Sequence, residues 1–190
     1  MRGFHRRALL VRAGSGVGLG GISGAVPSAA ETDLSSVRLV CSSKRLSITW
    51  YTRWLDAAPS ARPSVTSRKL VRELRRQEQT HYALLAPLLG TTAPRDDDFD
   101  FKLPPNALRS SASAAQFSLD LEKLIAGIGI GACAAADDRG IAESLARVAA
   151  SDAQHVSALG ALVGLSPLEG GLVRSITLDD ASNQLDQFLA

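Results

Sequence analysis

The sequence predicts an all-α fold: a bundle of four main helices, a long crossover between the second and third, and a short helix at the end. Three observations carry this. Apolar residues recur in steps that alternate between three and four, the repeat of one helix face. Ala, Leu, Ser and Arg dominate while aromatic residues make up only 5% of the 190, which favours helices over strands. Two of the apolar stripes are broken at their centre by the same pattern, an acid followed three residues later by histidine. The hydrophobic fraction of 45% is enough for one core, so a single domain with or without a tail is expected.

Met1–Ala30 reads as an export signal. His5-Arg6-Arg7-Ala8-Leu9-Leu10 is basic, Ala13–Val26 is glycine-rich and mildly apolar, and Ser28-Ala29-Ala30 offers a small-x-small site for cleavage after Ala30. Paired arginines ahead of a weakly apolar run resemble a twin-arginine signal, a route that implies export of a folded protein. The plainer alternative is a basic tail. The run is too short and glycine-rich to span a membrane. The expected domain is therefore residues 31–190, exported to the periplasm, the envelope or the medium, with no transmembrane segment. The first thirty residues hold four arginines and no acid, so the formal charge falls from +2 for the whole chain to −2 for the remainder. A mildly acidic chain offers no electrostatic case for nucleic acid.

The first helix is expected from about Asp33 to Leu55, capped by Thr32 or Asp33. Its stripe, Val37, Cys41, Lys44, Ile48, Tyr51 and Leu55, has a lysine at its centre. Residues 59–64, with Pro59 and Pro63, break the chain. The second helix runs from about Val65 to Leu89 and stops at Gly90, with Pro87 expected to kink or fray its last turn. Its stripe is Val71, Leu74, Leu85 and Leu88, and its gap falls at Glu78 and His81. Arg68, Lys69, Arg72, Arg75 and Arg76 form the other side, read as a solvated face, with an anionic partner as the alternative.

Thr91–Ser110 is long for an irregular connection, so it should cross the bundle and make the third helix parallel to the second. Asp96, Asp97, Asp98 and Asp100 lack the alternating spacing and closing glutamate of a calcium loop. They read as a solvated segment, with Phe99 and Phe101 packing inward. The third helix, about Ser111–Ala136, places Glu122 among Leu119, Leu121, Leu124, Ile125 and Ile128 with no partner on its own helix. Gly127, Gly129 and Gly131 each cost roughly 1 kcal/mol against alanine; the expected return is close approach of another helix. After a turn at Asp137–Gly140, the fourth helix spans about Ile141–Leu165. Its stripe, Ile141, Leu145, Val148, Leu159 and Leu162, is interrupted at Asp152 and His155. Ser166–Ala190 holds a Pro/Gly turn and a closing helix near Leu178–Leu189, capped by Thr177 or Asp179.

A carboxylate at a core position is costly unless it is paired or binds a metal. The spacing puts Glu78 above His81, and Asp152 above His155, on one face of each helix. Carboxylate dimetal bundles use two such acid-x-x-His helices and two further glutamates. Buried hydrogen-bond networks are the alternative. No nucleophile–base pair or phosphate-binding glycine loop stands out.

These motifs together resemble the ferritin-like domain family, in particular a secreted bacterial branch similar to desiccation-related proteins. Residues 78–85 (EQTHYALL) are similar to its second-helix motif, Leu121-Glu122-Lys123 to its third-helix glutamate segment, and residues 150–155 (ASDAQH) to its fourth-helix motif with Asp for Glu. Phe99-Asp100-Phe101 and Thr177–Leu189 also fit, so the resemblance covers about residues 33–189. It implies a four-helix bundle and, in metal-binding members, a di-iron or di-manganese site. Carried over by residue, Glu78, His81, Glu122 and His155 match the ligands, and Asp152 is a shortened one. The first-helix glutamate does not match: counting back from Tyr51, its position holds Lys44, and Ser47 and Thr49 supply no carboxylate.

A lysine facing Glu78, Glu122 and Asp152 repels a divalent cation and can replace it as counter-charge. The expectation is thus a degraded dimetal site and no cofactor, in an exported protein that acts by binding an unidentified partner or protecting the envelope under stress. The alternative is an iron or manganese protein with oxidase or peroxide-related chemistry. Either form is compatible with a homo-oligomer. An exported chain could join Cys41 to Cys133. With Lys44 and Glu122 level on antiparallel helices, however, the two cysteines lie about 12 Å apart along the axis, beyond the reach of a disulfide.

Overall fold

The computed structural model describes residues 28–166 and 172–190. Five α-helices account for most of them: α1 (Ala29–Leu55), α2 (Val65–Leu89), α3 (Ser111–Ala135), α4 (Arg139–Leu162) and α5 (Leu178–Asp186). No strand occurs among the described residues, and none of their helices is long and apolar enough to cross a membrane. The expected export signal lies outside the described residues as far as residue 27.

Each helix start has a local chemical cause. Ser28 caps α1 through a reciprocal box: its hydroxyl accepts from Glu31 N at 3.3 Å and its own N–H donates to Glu31 Oε2 at 2.8 Å. The helix therefore begins before Thr32 and Asp33, the residues expected to cap it, and the expected cleavage point after Ala30 falls within its first turn. Asp33 is instead buried and accepts from the backbone N–H groups of Asp137 and Asp138, at 2.7 and 3.0 Å, so it clamps the α3–α4 turn. Ser64, Ser110, Asp138 and Thr177 cap the other four helices with side-chain oxygens. Pro87 lies inside α2, which continues to Leu89 and stops at Gly90 with φ +54°.

Contacts between helices set their directions. Lys44 meets Glu78 while Arg38 reaches Thr92, so α1 and α2 are antiparallel. Trp50 bonds Ser118 while Asp33 bonds Asp137, which makes α1 and α3 antiparallel. Cys133 meets Ala142 while His155 faces Glu122, and α3 and α4 run antiparallel too. It follows that α2 and α3 are parallel, the relationship that residues 90–110 must bridge. That crossover holds two short 3-10 turns, Gly90–Thr92 and Asp96–Asp98, rather than being irregular throughout. Asp96 is exposed and pairs with Arg45, while Phe101 is buried and stacks on the half-buried Phe99 at 4.8 Å.

The core combines aliphatic layers with an aromatic end. Leu46, Leu85, Leu119, Leu121, Ile125, Ile128, Leu145 and Leu159 are fully enclosed. At the end near Leu55, Trp50 packs on Trp54 and edge-on against Phe117, and both indoles find acceptors, Ser118 Oγ and Ala61 O. The stripes are largely as expected, with one slip: Leu88 is 43% exposed and Leu89 takes its place inside. Pro87 and the 3-10 turn that follows α2 sit at this point.

Two expected features differ. The closing helix ends at Asp186, because Phe188 and Leu189 leave it to pair with the crossover: Lys102 N donates to Phe188 O at 2.7 Å and Ala190 N to Asp100 O at 3.0 Å. The glycines of α3 also do different work. Gly129 faces Ala149 of α4, as a helix-packing glycine should, with room that a Cβ would cut to 3.1 Å. Gly127 and Gly131 instead admit a non-helical stretch, since added Cβ atoms would strike Arg174 O and Ile176 O, and Ile176 N donates to Gly127 O at 3.1 Å. Both thiols are free: Cys41 is buried, and Cys133 is half-buried with its Sγ 3.4 Å from Ala142 O. Burial pushes the Cys41 thiol up to about 12.

Candidate metal centre

Four helices each send polar side chains to one level of the core. Lys44, Ser47 and Tyr51 come from α1 at steps of three and four, Gln77, Glu78 and His81 from α2, Glu122 from α3, and Asp152 and His155 from α4. Each lies on or beside an apolar stripe, so packing of the stripes brings the polar residues together whatever their charge. Lys44, Glu78, Glu122 and Asp152 are all 0% exposed.

Lys44 sits among the acids. Its Nζ lies 2.6 Å from Asp152 Oδ2 and 3.2 Å from Glu78 Oε2. The Ser47 hydroxyl donates to Glu78 Oε2 at 2.7 Å, and the Tyr51 hydroxyl donates to Glu122 Oε1 at 2.7 Å. His155 Nδ1 lies 3.2 Å from Glu78 Oε1 and 3.4 Å from Glu122 Oε2, without the alignment of a hydrogen bond. Its Nε2 meets Gln77 Oε1 at 2.9 Å. His81 Nδ1 sits between Glu78 Oε1 at 3.3 Å and Asp152 Oδ1 at 3.2 Å, and its ring stacks on that of His155 with centroids 5.6 Å apart.

The charges follow from burial and these neighbours. Burial opposes the Lys44 charge, but Asp152, Glu78 and Glu122 outweigh it and raise the ammonium above its ordinary value. Burial likewise opposes ionisation of Glu78; the Lys44 charge and the two imidazoles reverse the balance and hold its carboxyl well below the usual range. Glu122 goes the other way, raised by burial and then by the Glu78 charge. His155 is pushed up to about 10, because Glu122 and Glu78 outweigh its burial. His81 is raised by Asp152 and Glu78 against the same opposition, and Tyr51 is raised by burial and by Glu122. An ammonium and up to two imidazoliums thus balance the carboxylates.

Sequence reasoning passed over Ser47, Tyr51 and Gln77. Ser47 and Tyr51 carry a readable signal, because they follow Lys44 at three and seven residues on the same face. Gln77 carries none, since its role depends on where α4 places His155.

α1 supplies no carboxylate to the cluster, and Lys44 Nζ stands against Asp152 and Glu78. Glu78, Glu122, Asp152 and His155 each offer a donor atom, all within 4.8 Å of one another, and Glu122 Oε2, Asp152 Oδ1 and His155 Nδ1 are buried without hydrogen-bond partners. Mixed carboxylate and imidazole donors suit iron or manganese. His81, also expected as a ligand, falls outside this group of four.

No curated protein matches the chain. The family model described as a ferritin-like domain matches residues 32–165, a span that runs from the first turns of α1 to the end of α4 and includes every residue of the buried cluster. With two antiparallel helix pairs, a crossover that makes α2 and α3 parallel, and the acid-x-x-His pairs facing each other in the core, the chain belongs to the ferritin-like domain family.

Proposed function

We propose that this chain is an exported ferritin-like protein of the envelope or the medium, without dinuclear metal chemistry, in which Lys44 holds the buried acids together in place of a metal. A non-catalytic role fits this reading, through a protein partner or protection of the envelope under stress such as desiccation. The observation that carries it is the position of Lys44 Nζ, fully buried and 2.6 Å from Asp152 Oδ2 and 3.2 Å from Glu78 Oε2. An ammonium there supplies the counter-charge that would otherwise have to come from a cation.

A second reading has its own support. The orphaned atoms of Glu122, Asp152 and His155 favour one iron or manganese ion held by Glu78, Glu122, Asp152 and His155. Such an ion, when bound, supplies one-electron chemistry of an oxidase or peroxide-related kind. The protein would contribute burial from water, the Tyr51 hydroxyl on Glu122 and the Lys44 charge beside Asp152.

Elemental analysis of the purified chain, before and after loading with iron or manganese, decides between them. No metal, with helical circular dichroism intact, is the expected result. About one equivalent per chain supports the mononuclear reading, and about two overturn both. For export, N-terminal sequencing of the protein recovered outside the cytoplasm should begin at Glu31.

A further inference from the structure

We propose that Lys44 and Asp152 join through an isopeptide bond formed by the protein itself, an amide between Lys44 Nζ and Asp152 Cγ that ties α1 to α4, with Glu78 taking up protons and His81 delivering one. This rests on the reading that Lys44 occupies the site in place of a metal.

The groups such a reaction needs are already assembled. Nζ lies 2.6 Å from Asp152 Oδ2, which places the amine beside the carboxyl carbon, and both side chains are 0% exposed. Glu78 lies 3.2 Å from the same Nζ and is held by the Ser47 hydroxyl at 2.7 Å, so a proton acceptor is fixed next to the nucleophile. On the other side of the carboxyl group, His81 Nδ1 is 3.2 Å from Asp152 Oδ1, the oxygen that has no hydrogen-bond partner. The same nitrogen is 3.3 Å from Glu78 Oε1, so acceptor and donor communicate directly.

The step balances without any co-reactant. The Lys44 ammonium gives a proton to Glu78, His81 protonates Asp152 Oδ1, and the freed lone pair attacks Cγ of the neutral carboxyl group. The N–C bond forms, a second ammonium proton leaves by way of Glu78, and one carboxyl oxygen departs after taking up protons relayed through Glu78 and His81. One ammonium and one carboxylate become one amide and one water, with nothing oxidised or reduced.

Two physical effects favour the product here and not in water. Condensation removes two opposite charges from a site where each is expensive to keep. Fixed juxtaposition replaces a bimolecular encounter, an advantage that reaches roughly 10⁵–10⁸ M in effective concentration. The neighbouring carboxylates that favour the ammonium oppose the first proton transfer, so the bond forms slowly and once per chain. Enclosure then keeps water from reversing it.

Intact mass spectrometry of the denatured full chain tests the proposal. The expected mass is lower than the sequence requires by one water, for whatever N-terminus is found. Trypsin should release residues 39–45 joined to residues 148–174. Lys44→Arg should restore the full mass. Asp152→Asn should still link but lose one ammonia instead of one water, and Glu78→Gln should lower the linked fraction at least tenfold in a fixed incubation. A wild-type chain that keeps its full mass after prolonged incubation at neutral pH without metal overturns the proposal, as does a link mapped to Glu78. The mass of the wild-type chain is decisive by itself, so a variant that fails to fold does not blur the outcome. Two equivalents of bound metal would sink the underlying reading; a metal-free but unlinked chain would sink the linkage alone.

Discussion

Gln77 Oε1 lies 2.9 Å from His155 Nε2, and the amide of Gln77 is itself oriented by donating to Glu73 Oε1 at 2.8 Å. The glutamine therefore presents a carbonyl to the imidazole. His155 Nε2 donates to Gln77, and Nδ1, turned to the carboxylates of Glu78 and Glu122, is the nitrogen that gains or loses the second proton.

From this arrangement comes a pH dependence for the metal-free chain. His155 is raised from 6.5 to about 10, so its contribution to stability is fully present below pH 6.5 and is lost as pH rises through about 10. Glu78 acts at the other end in the unlinked chain, where the Lys44 charge holds it below its ordinary value: it stabilises above pH 4.5 and loses that contribution as the pH falls. Urea midpoints measured across this range should fall on both sides. His155→Gln should flatten the alkaline limb; an unchanged alkaline slope would show that His155 is not charged in the fold.

Replacing Lys44 by Glu reverses the charge at the centre of the cluster and supplies the carboxylate that α1 lacks. Without metal the variant should lose about 3–5 kcal/mol relative to the unlinked wild-type chain, the usual penalty for breaking a buried pair. Iron or manganese should restore much of that loss, and calorimetric titration should show at least a tenfold gain in affinity over wild type. No gain in affinity would show that the Lys44 charge is not what opposes metal binding.

Gly131→Ala and Gly129→Ala should separate, although both gain roughly 1 kcal/mol of helix propensity. A Cβ on Gly131 runs into the backbone of Ile176, which cannot retreat without moving the stretch before α5. The net loss should be about 1–3 kcal/mol. At Gly129 the neighbour is the Ala149 methyl at 3.1 Å, so a small shift of α4 suffices and the effect should be near zero. Thermal denaturation of the two variants side by side reads the difference.

Asp33→Ala removes both acceptors that hold the turn between α3 and α4. Two N–H groups, of Asp137 and Asp138, lose a charged partner, which predicts a cost of about 1–3 kcal/mol. Faster amide exchange at those two residues should accompany it, and Asp33→Asn should recover part of the loss.

The sequence alone determined the helices, their approximate ends, the parallel course of α2 and α3 and the two acid-x-x-His interruptions. It could do so because helix periodicity, capping and Pro/Gly breaks act between residues a few positions apart. It also pointed to Lys44 as a polar intruder on an apolar face. What the tertiary structure decided is everything that depends on residues distant in the chain. Ser47 and Tyr51 became partners of Glu78 and Glu122 only when α1 met α2 and α3, and Gln77 became the partner of His155 only when α4 was in place. Asp33, a plausible helix cap by its neighbours, is drawn into the core because the backbone N–H groups of residues 137 and 138 arrive there. Leu88 yields its place to Leu89 at the end of α2, and Gly127 and Gly131 make room for a stretch of chain more than forty residues away. Local pattern specifies which face of a helix turns inward; only packing specifies what that face meets.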